Sequence, residues 1–333
     1  MLMKAIQIKS PGHVVLVDQN ILKPKANEVL IKIMASGICG TDIHIFNGDY
    51  LSNYPIVPGH EFSGIIEHVG KDVIRFQVGD RVAVEPNISC DNCYYCLNNH
   101  QNFCENWQAI GVTLQGGMAQ YIIVPEKVTF HINDLPFESG AFMEPLSCVL
   151  HGIERINIRI SNRVAILGAG PIGLLFLQMV QLQGATSVTV LENQTSRAEI
   201  AKRFGANHVA NNIKELKDED FDIVIDATGK ISIMDKTIDL VRRGGKVLLF
   251  GVPSAGEMIN FEGIKLFQKG LTLFSSFTSV RNSYQAISLL QSKQIVVSEL
   301  ISHTLPLSDF GKGVELIEKG IGNVKKVIIL PQE

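Results

Sequence analysis

Cys39, Thr41, Asp42 and His44 stand within one short stretch, Cys39-Gly40-Thr41-Asp42-Ile43-His44, and a second imidazole and a carboxylate follow in Pro58-Gly59-His60-Glu61. A thiol, an imidazole and a carboxylate this close in sequence suit zinc, a borderline-soft ion that takes sulfur, nitrogen and oxygen ligands together. Thr41 and His44 add a hydroxyl and an imidazole able to move a proton to or from a group bound at the ion. The combination describes a catalytic centre rather than a purely structural one.

A second constellation is Cys90-Asp91-Asn92-Cys93-Tyr94-Tyr95-Cys96 followed by Cys104. Two-residue gaps let neighbouring thiolates turn onto one ion, and four sulfurs fill a tetrahedral zinc shell completely. With no position left open, this zinc is expected to be structural, holding a lobe over residues 87–106. Four of the six cysteines fall within the fifteen residues 90–104, which points to a metal rather than to disulfides and to a reducing, cytoplasmic setting. Cys148, outside both motifs, reads as a small buried hydrophobe.

The elements that must position these groups change character along the chain. Up to about Pro145, short alternating runs such as Val29 to Ile33, Phe62 to Val69, Arg81 to Val84 and Tyr121 to Val124 are separated by Gly, Asp, Asn and Pro clusters. This is the pattern of antiparallel strands closing a barrel or sandwich, with the ligand candidates in loops and at element ends. Cys39 to Asn47 reads as one short helix.

After Pro145, apolar runs (Val164 to Leu167, Val188 to Leu191, Asp222 to Ile225, Lys246 to Phe250, Leu271 to Phe274) alternate with helical stretches at Pro171 to Gln183, Thr195 to Phe204 and Ile231 to Val241. Strand and helix in alternation give an α/β unit with a doubly wound parallel sheet. Its first turn, Gly168-Ala169-Gly170-Pro171-Ile172-Gly173, follows a strand and opens a helix, the setting in which a G-x-G-x-x-G turn holds a dinucleotide pyrophosphate against helix N–H groups. Glu192, nineteen residues past Gly173, can accept hydrogen bonds from both ribose hydroxyls and would repel a 2′-phosphate, which favours NAD over NADP. Arg197 is a candidate for lying along the adenine, and Val252, just past the Lys246 to Phe250 strand, for a further cofactor contact. The last stretch carries helical pieces (Ser283 to Gln291, Gly311 to Glu318) and a Val324 to Leu330 strand.

The totals exclude several classes. At 333 residues with 46% hydrophobic residues, two packed domains are expected, and a net charge of -3 with interspersed signs gives no footprint for nucleic acid or anionic membrane. No stretch reaches the ~18 apolar residues of a membrane helix, and the N-terminus lacks a signal-peptide pattern.

Taken together, Gly37-Ile38-Cys39-Gly40-Thr41-Asp42-Ile43-His44, Gly59-His60-Glu61, the four-cysteine lobe, Met143-Glu144-Pro145-Leu146, the glycine turn and Glu192 resemble the zinc-dependent medium-chain dehydrogenase/reductase family, in particular its sorbitol (polyol) and threonine dehydrogenase branch. The resemblance runs over essentially the whole chain. It implies a GroES-like, barrel-type catalytic domain built from both ends of the chain, 1–147 and 278–333, with a Rossmann NAD-binding domain, 148–277, inserted between them. Two zinc ions per chain and NAD are the implied cofactors. Cys39 and His60 match family zinc ligands, Glu61 and Glu144 compete for the carboxylate role, Asp42 matches the carboxylate that orients the ligand histidine, and Thr41 and His44 match the proton relay.

The implied reaction is hydride transfer between NAD and a secondary alcohol or polyol, giving a ketone or ketose. Threonine or another amino alcohol, a polyol phosphate, or a catalytically silent nucleotide sensor are the alternatives. Polyol dehydrogenases of this kind often carry an Arg-Tyr pair after the last Rossmann strand, where this chain has Ser276-Phe277-Thr278-Ser279. Phe46 suggests an apolar wall in the substrate pocket. A homodimer or homotetramer is the implied assembly.

Overall fold

The structure is a computed structural model and describes residues 2–333. In chain order, the first part contributes β1 (Leu2–Ser10), β2 (His13–Asn20), β3 (Glu28–Gly37), α1 (Gly40–Asn47), β4 (Glu61–Val69), β5 (Arg81–Val84), β6 (Asn87–Ile88), α2 (Tyr94–Leu97), β7 (Gln108–Ala109), β8 (Tyr121–Pro125), β9 (Thr129–His131), α3 (Phe137–Gly140) and α4 (Met143–Ile156). Then follow β10 (Arg163–Leu167), α5 (Pro171–Leu182), β11 (Ser187–Leu191), α6 (Thr195–Arg203), β12 (His208–Ala210), β13 (Phe221–Asp226), α7 (Ile231–Met234), α8 (Thr237–Leu240), β14 (Val241–Leu249), α9 (Gly263–Lys269) and β15 (Thr272–Ser275). The chain ends with α10 (Ser283–Gln291), β16 (Ile301–Pro306), α11 (Phe310–Lys319) and β17 (Lys326–Leu330). Two compact units result: residues up to Ser147 together with Ser279–Glu333, and Cys148–Thr278.

In the first unit the main sheet runs β16-β17-β3-β4-β5-β9, with β8 also paired to β3. β3 is its hub. Val29, Ile31 and Ile33 of β3 pack with Phe62 and Ile66 of β4, Val82 and Val84 of β5, and Ile122 and Val124 of β8. The C-terminal strand β17 pairs antiparallel with β3, so the last stretch of the chain completes the sheet begun by β3. Burying such apolar side chains is worth about 1.5–3 kcal/mol each, and it is this packing that fixes the strand ends from which the ligand residues project.

The second unit carries a six-stranded parallel sheet in the order β12-β11-β10-β13-β14-β15. Its central strands β10, β11 and β13 are largely buried and mostly apolar, as strands covered on both faces must be. At the end of β10, Gly168 adopts φ 101°, a left-handed conformation that side chains resist. Gly173 has a different reason: a Cβ there would collide with the Gly168 carbonyl oxygen, so only glycine lets α5 approach the strand.

One expected element differs. The Ile231 to Val241 stretch forms α7 and α8 rather than a single helix. The hydroxyl of Thr237 donates to the Met234 carbonyl at 2.7 Å and the Asn260 N–H donates to the Asp235 carboxylate at 2.7 Å, which fixes a break between the two turns. The small β6–β7 pair beside the cysteine lobe was not anticipated from the pattern.

Candidate metal and dinucleotide sites

Cys39 ends the loop after β3 and caps α1, while His60 and Glu61 lie at the entry to β4. The register of the β3–β4 pair sets Gly37 opposite Glu61, so the two motifs, distant in sequence, meet at one end of the sheet. One ligand atom from each of Cys39, His60 and Glu61 lies within 4.8 Å of the others. His60 and Glu61 are buried, and His60 Nδ1 makes no hydrogen bond. A buried imidazole nitrogen with no hydrogen bond, set beside a buried carboxylate and a thiol, is costly to leave unpartnered. A soft-to-borderline metal cation satisfies that donor set, and the residues fit zinc.

Asp42 organises the group. Its Oδ2 accepts the Cys39 N–H at 2.8 Å and its Oδ1 accepts the Gly59 N–H at 3.0 Å, with His60 Nδ1 3.6 Å away. One carboxylate thus ties the cysteine loop to the histidine loop. Burial works against a charged His60, but Asp42 and then Cys39 outweigh it and hold the imidazole well above its ordinary pKa. Lys326, from β17, forms an ion pair with Glu61 Oε2. Burial opposes its charge as well, and Glu61, Cys39 and Asp42 together keep its pKa raised.

Thr41 and His44 sit three residues apart on α1, on one helix face. His44 Nδ1 lies 3.1 Å from each carboxylate oxygen of Asp49. Phe46 is half-buried and packs against apolar clusters that include Ile8, Ile45 and Phe310. Glu144, the second residue of α4, is buried and lies outside the Cys39, His60 and Glu61 group.

The four sulfurs of Cys90, Cys93, Cys96 and Cys104 also come together, with Sγ to Sγ separations of 3.5 Å (Cys93 to Cys96) and 3.9 Å (Cys90 to Cys96 and Cys93 to Cys104). A tetrahedron with Zn–S of about 2.3 Å sets sulfurs about 3.8 Å apart, so the donor set and its spacing fit zinc. The backbone N–H groups of Cys90 and Asn106 each donate to Cys104 Sγ at 3.3 Å. Backbone N–H groups, that of Asn92 foremost, draw the Cys90 thiol down to about 6, while burial pushes Cys96 up to about 12.

In the second unit, Gly170 caps α5 and Pro171 is its first residue, leaving unpaired N–H groups at the helix start. Ile172 and Gly173 lie in the same first turn. Glu192 is buried at the end of β11; its Oε2 accepts the Ala169 N–H at 3.0 Å and its Oε1 the Gln194 N–H at 2.8 Å. The acid is thereby tied to the glycine turn itself. Arg197 is partly buried on α6 and burial lowers its pKa, with Glu192 opposing that shift. Val252 is half-exposed, and its backbone lies against Gly229.

Motif reading passed over two residues. Asp49 follows His44 by five positions and was visible as a nearby carboxylate; Lys326, at the far end of the chain, carried no local signal.

A family profile described as alcohol dehydrogenase GroES-like domain matches residues 25–134, and one described as zinc-binding dehydrogenase matches residues 171–292. D-arabinitol dehydrogenase 1 of Uromyces fabae is 31% identical over 325 residues, covering 94% of this chain and 93% of that protein. D-altritol 5-dehydrogenase of Agrobacterium fabrum is 34% identical over 314 residues, covering 92% of this chain and 94% of that protein. A zinc-binding dehydrogenase from Sinorhizobium meliloti 1021, bound to NADP, superposes with a TM-score of 0.95 at 32% identity, covering 99% of this chain and 100% of that one. The chain belongs to the zinc-dependent medium-chain dehydrogenase/reductase family and is an oxidoreductase with a GroES-like and a Rossmann-type part. Within that family it falls in the polyol dehydrogenase branch. Zinc and a nicotinamide dinucleotide are the cofactors with which this family works. Among the described residues no helix is long and apolar enough to cross a membrane.

Proposed function

We propose that the protein oxidises a polyol or related secondary alcohol to the ketone or ketose with NAD, and runs the reverse reduction. The observation that carries this reading is the convergence of Cys39, His60 and Glu61 within 4.8 Å, beside a helix that carries Thr41 and His44. Cys39, His60 and Glu61 would hold the catalytic zinc, with Glu144 as the alternative or water-linked carboxylate, and the four-cysteine lobe would hold a second, structural zinc. Zinc supplies Lewis acidity toward the substrate's hydroxyl or carbonyl oxygen, and NAD supplies the hydride acceptor.

The chain's own residues then move the proton and fix the cofactor. Thr41 Oγ1 would accept the proton of the substrate hydroxyl as it releases its own toward His44, and His44 would take that proton on Nε2 and pass it to solvent, with Asp49 engaging Nδ1. Asp42 holds the Cys39 and Gly59 backbones in place so that thiol and imidazole face one point. Gly168 makes the tight turn, its own N–H spent on the Leu191 carbonyl, and Pro171, which has no N–H, opens α5; Gly170, Ile172 and Gly173 present N–H groups to a pyrophosphate, and Arg197 and Val252 add side contacts. Glu192 supports NAD over NADP by its charge, although the Sinorhizobium meliloti relative is bound to NADP. Phe46 would offer an apolar wall to the carbon chain of the substrate.

A homodimer or homotetramer completes the proposal. β15 is the edge strand of its sheet, and Leu273 on it and Phe267 on α9 are exposed; an apolar edge of this kind suits pairing with a second copy. The crowded cysteines support a reducing, cytoplasmic setting.

The test is to count zinc per purified chain and follow NADH absorbance with pentitols, hexitols, their phosphates, small secondary alcohols and threonine, each with NAD and NADP. Two zinc ions and NAD-linked oxidation of a polyol are expected. One zinc and no turnover on any of them would leave the cysteine lobe standing and overturn the catalytic reading. Light scattering on the same preparation reads the oligomeric state.

A further inference from the structure

Lys326 enters the neighbourhood of Cys39, His60 and Glu61 through the strand register. Ile328 of β17 pairs with Gly37 of β3, and Gly37 in turn pairs with Glu61 of β4. Gly37 therefore stands between the two outer strands, and having no side chain it leaves a slot. A Cβ at that position would run into the Glu61 carboxylate and lie 2.8 Å from Lys326 Cε. Through the slot the Lys326 ammonium reaches Glu61 Oε2, with Lys326 5% and Glu61 1% exposed. The ring of Phe142, itself fully buried, lies 5.9 Å from the ammonium.

A lysine is almost never buried unless it is paired, and a buried carboxylate without a counter-charge is as costly. In the metal-free chain the two groups neutralise each other. When a divalent cation takes the same carboxylate, the ammonium becomes a like charge a few ångströms away, in surroundings where screening is weak. Lys326 therefore stabilises the metal-free fold and opposes the loaded one.

We propose that Lys326 is a positioning and charge-balancing residue for the Cys39, His60 and Glu61 group, standing in for the metal at Glu61 when the group is empty and lowering the group's affinity for zinc. The inference rests on the reading that these three residues hold zinc. It gives a role to a buried lysine that carries no local signal in the sequence, and it accounts for the glycine at 37, where a side chain would block the pair.

The experiment compares zinc affinity, by competition with a chromophoric chelator, in the full-length wild type and in Lys326→Met, Glu61→Gln and the double variant. The quantity read is the zinc equivalent that Cys39→Ser removes. Lys326→Met should hold that zinc more tightly, by on the order of ten- to a hundredfold, and its melting temperature should fall more in the metal-free form than in the loaded form. In the Glu61→Gln background the same lysine substitution should leave zinc affinity unchanged within a small factor, since the carboxylate charge is gone. A Lys326→Met chain that folds only with zinc present also supports the proposal. Equal or weaker zinc binding in Lys326→Met, or an identical effect in both backgrounds, overturns it. If Cys39→Ser keeps both zinc ions, the zinc reading itself fails whatever Lys326 does, so the two failures are distinguishable.

Discussion

His44 Nδ1 lies 3.1 Å from both carboxylate oxygens of Asp49, so the imidazole of α1 is held by a partner just beyond the end of its own helix. An acceptor at Nδ1 keeps the proton of a neutral ring on that nitrogen and leaves Nε2 as the atom able to take one. Both side chains are partly exposed, so this pair orients more than it stabilises. His44→Gln should lower kcat by on the order of 100-fold, while Asp49→Asn, which leaves the ring in place, should lower it by a smaller factor. Zinc content and coenzyme affinity should be unchanged in both. Steady-state kinetics on the wild type's best substrate check this, and an unaffected kcat in His44→Gln would remove the histidine from the proton path.

On the proposed reading Glu192 has two tasks in the second unit, and substitutions can separate them. Its charge faces the position expected for a ribose, while its two oxygens accept the N–H groups of Ala169 and Gln194. Glu192→Gln retains an acceptor for one of these amides and removes the charge; Glu192→Ala removes both. The first should chiefly raise kcat/KM with NADP relative to NAD, by roughly tenfold, since about 1.4 kcal/mol of discrimination corresponds to that ratio. The second should also raise KM for both coenzymes, because the glycine turn loses an anchor. Coenzyme kinetics that are the same in Glu192→Gln and wild type would take the carboxylate out of the ribose contact.

What was legible in the sequence shares one property: its physical reason is local. The glycine turn is readable because Gly168 needs a left-handed φ and Gly173 needs to lack a side chain, both within six residues. The two-residue gaps of the cysteine lobe place Cys90, Cys93 and Cys96 on one point by chain geometry alone. The expected helix over Ile231 to Val241 broke because Asn260, well outside that stretch, bonds to Asp235 at its middle. Lys326 is the extreme case. Its meeting with Glu61 is decided by which strands flank β3 and in which register, a relation that no run of neighbouring residues encodes. Motif reading can find ligands grouped in sequence, and it misses the counter-charge that a distant strand delivers.

The cysteine lobe should behave as a stability element. Its sulfurs are gathered around one point, while its helix α2 has four residues and its strands β6 and β7 two each, too little secondary structure to hold a lobe by itself. Cys96 is the most buried of the four. Cys96→Ser should remove one zinc equivalent and lower Tm by about 10 °C or more, while the fraction that remains folded keeps a kcat near that of the wild type. Differential scanning calorimetry with metal analysis checks both. Loss of turnover with an unchanged Tm would reverse the assignment of the two metal groups.

Asp226 offers a pH signature confined to the second unit. It ends β13 with its side chain fully buried; Oδ1 accepts the Thr228 hydroxyl at 2.6 Å and Oδ2 the Gly229 N–H at 3.1 Å. Burial raises its pKa above the ordinary carboxylate value, and these hydrogen bonds only partly offset the shift. A folded-state pKa above the unfolded one means that the folded chain binds the proton more tightly. The contribution is therefore fully present below the unfolded pKa and is lost as pH rises through the folded one. Asp226→Asn has no such titration. Relative to wild type, the variant should be more destabilised near pH 4 than near pH 7, with the difference growing as pH falls toward the unfolded carboxylate range. Urea unfolding of both proteins at the two pH values, with zinc held constant, measures it. A variant penalty that instead grew with rising pH would mean that Asp226 is held ionised by its hydrogen bonds, and that the N–H groups around Gly229 outweigh its burial.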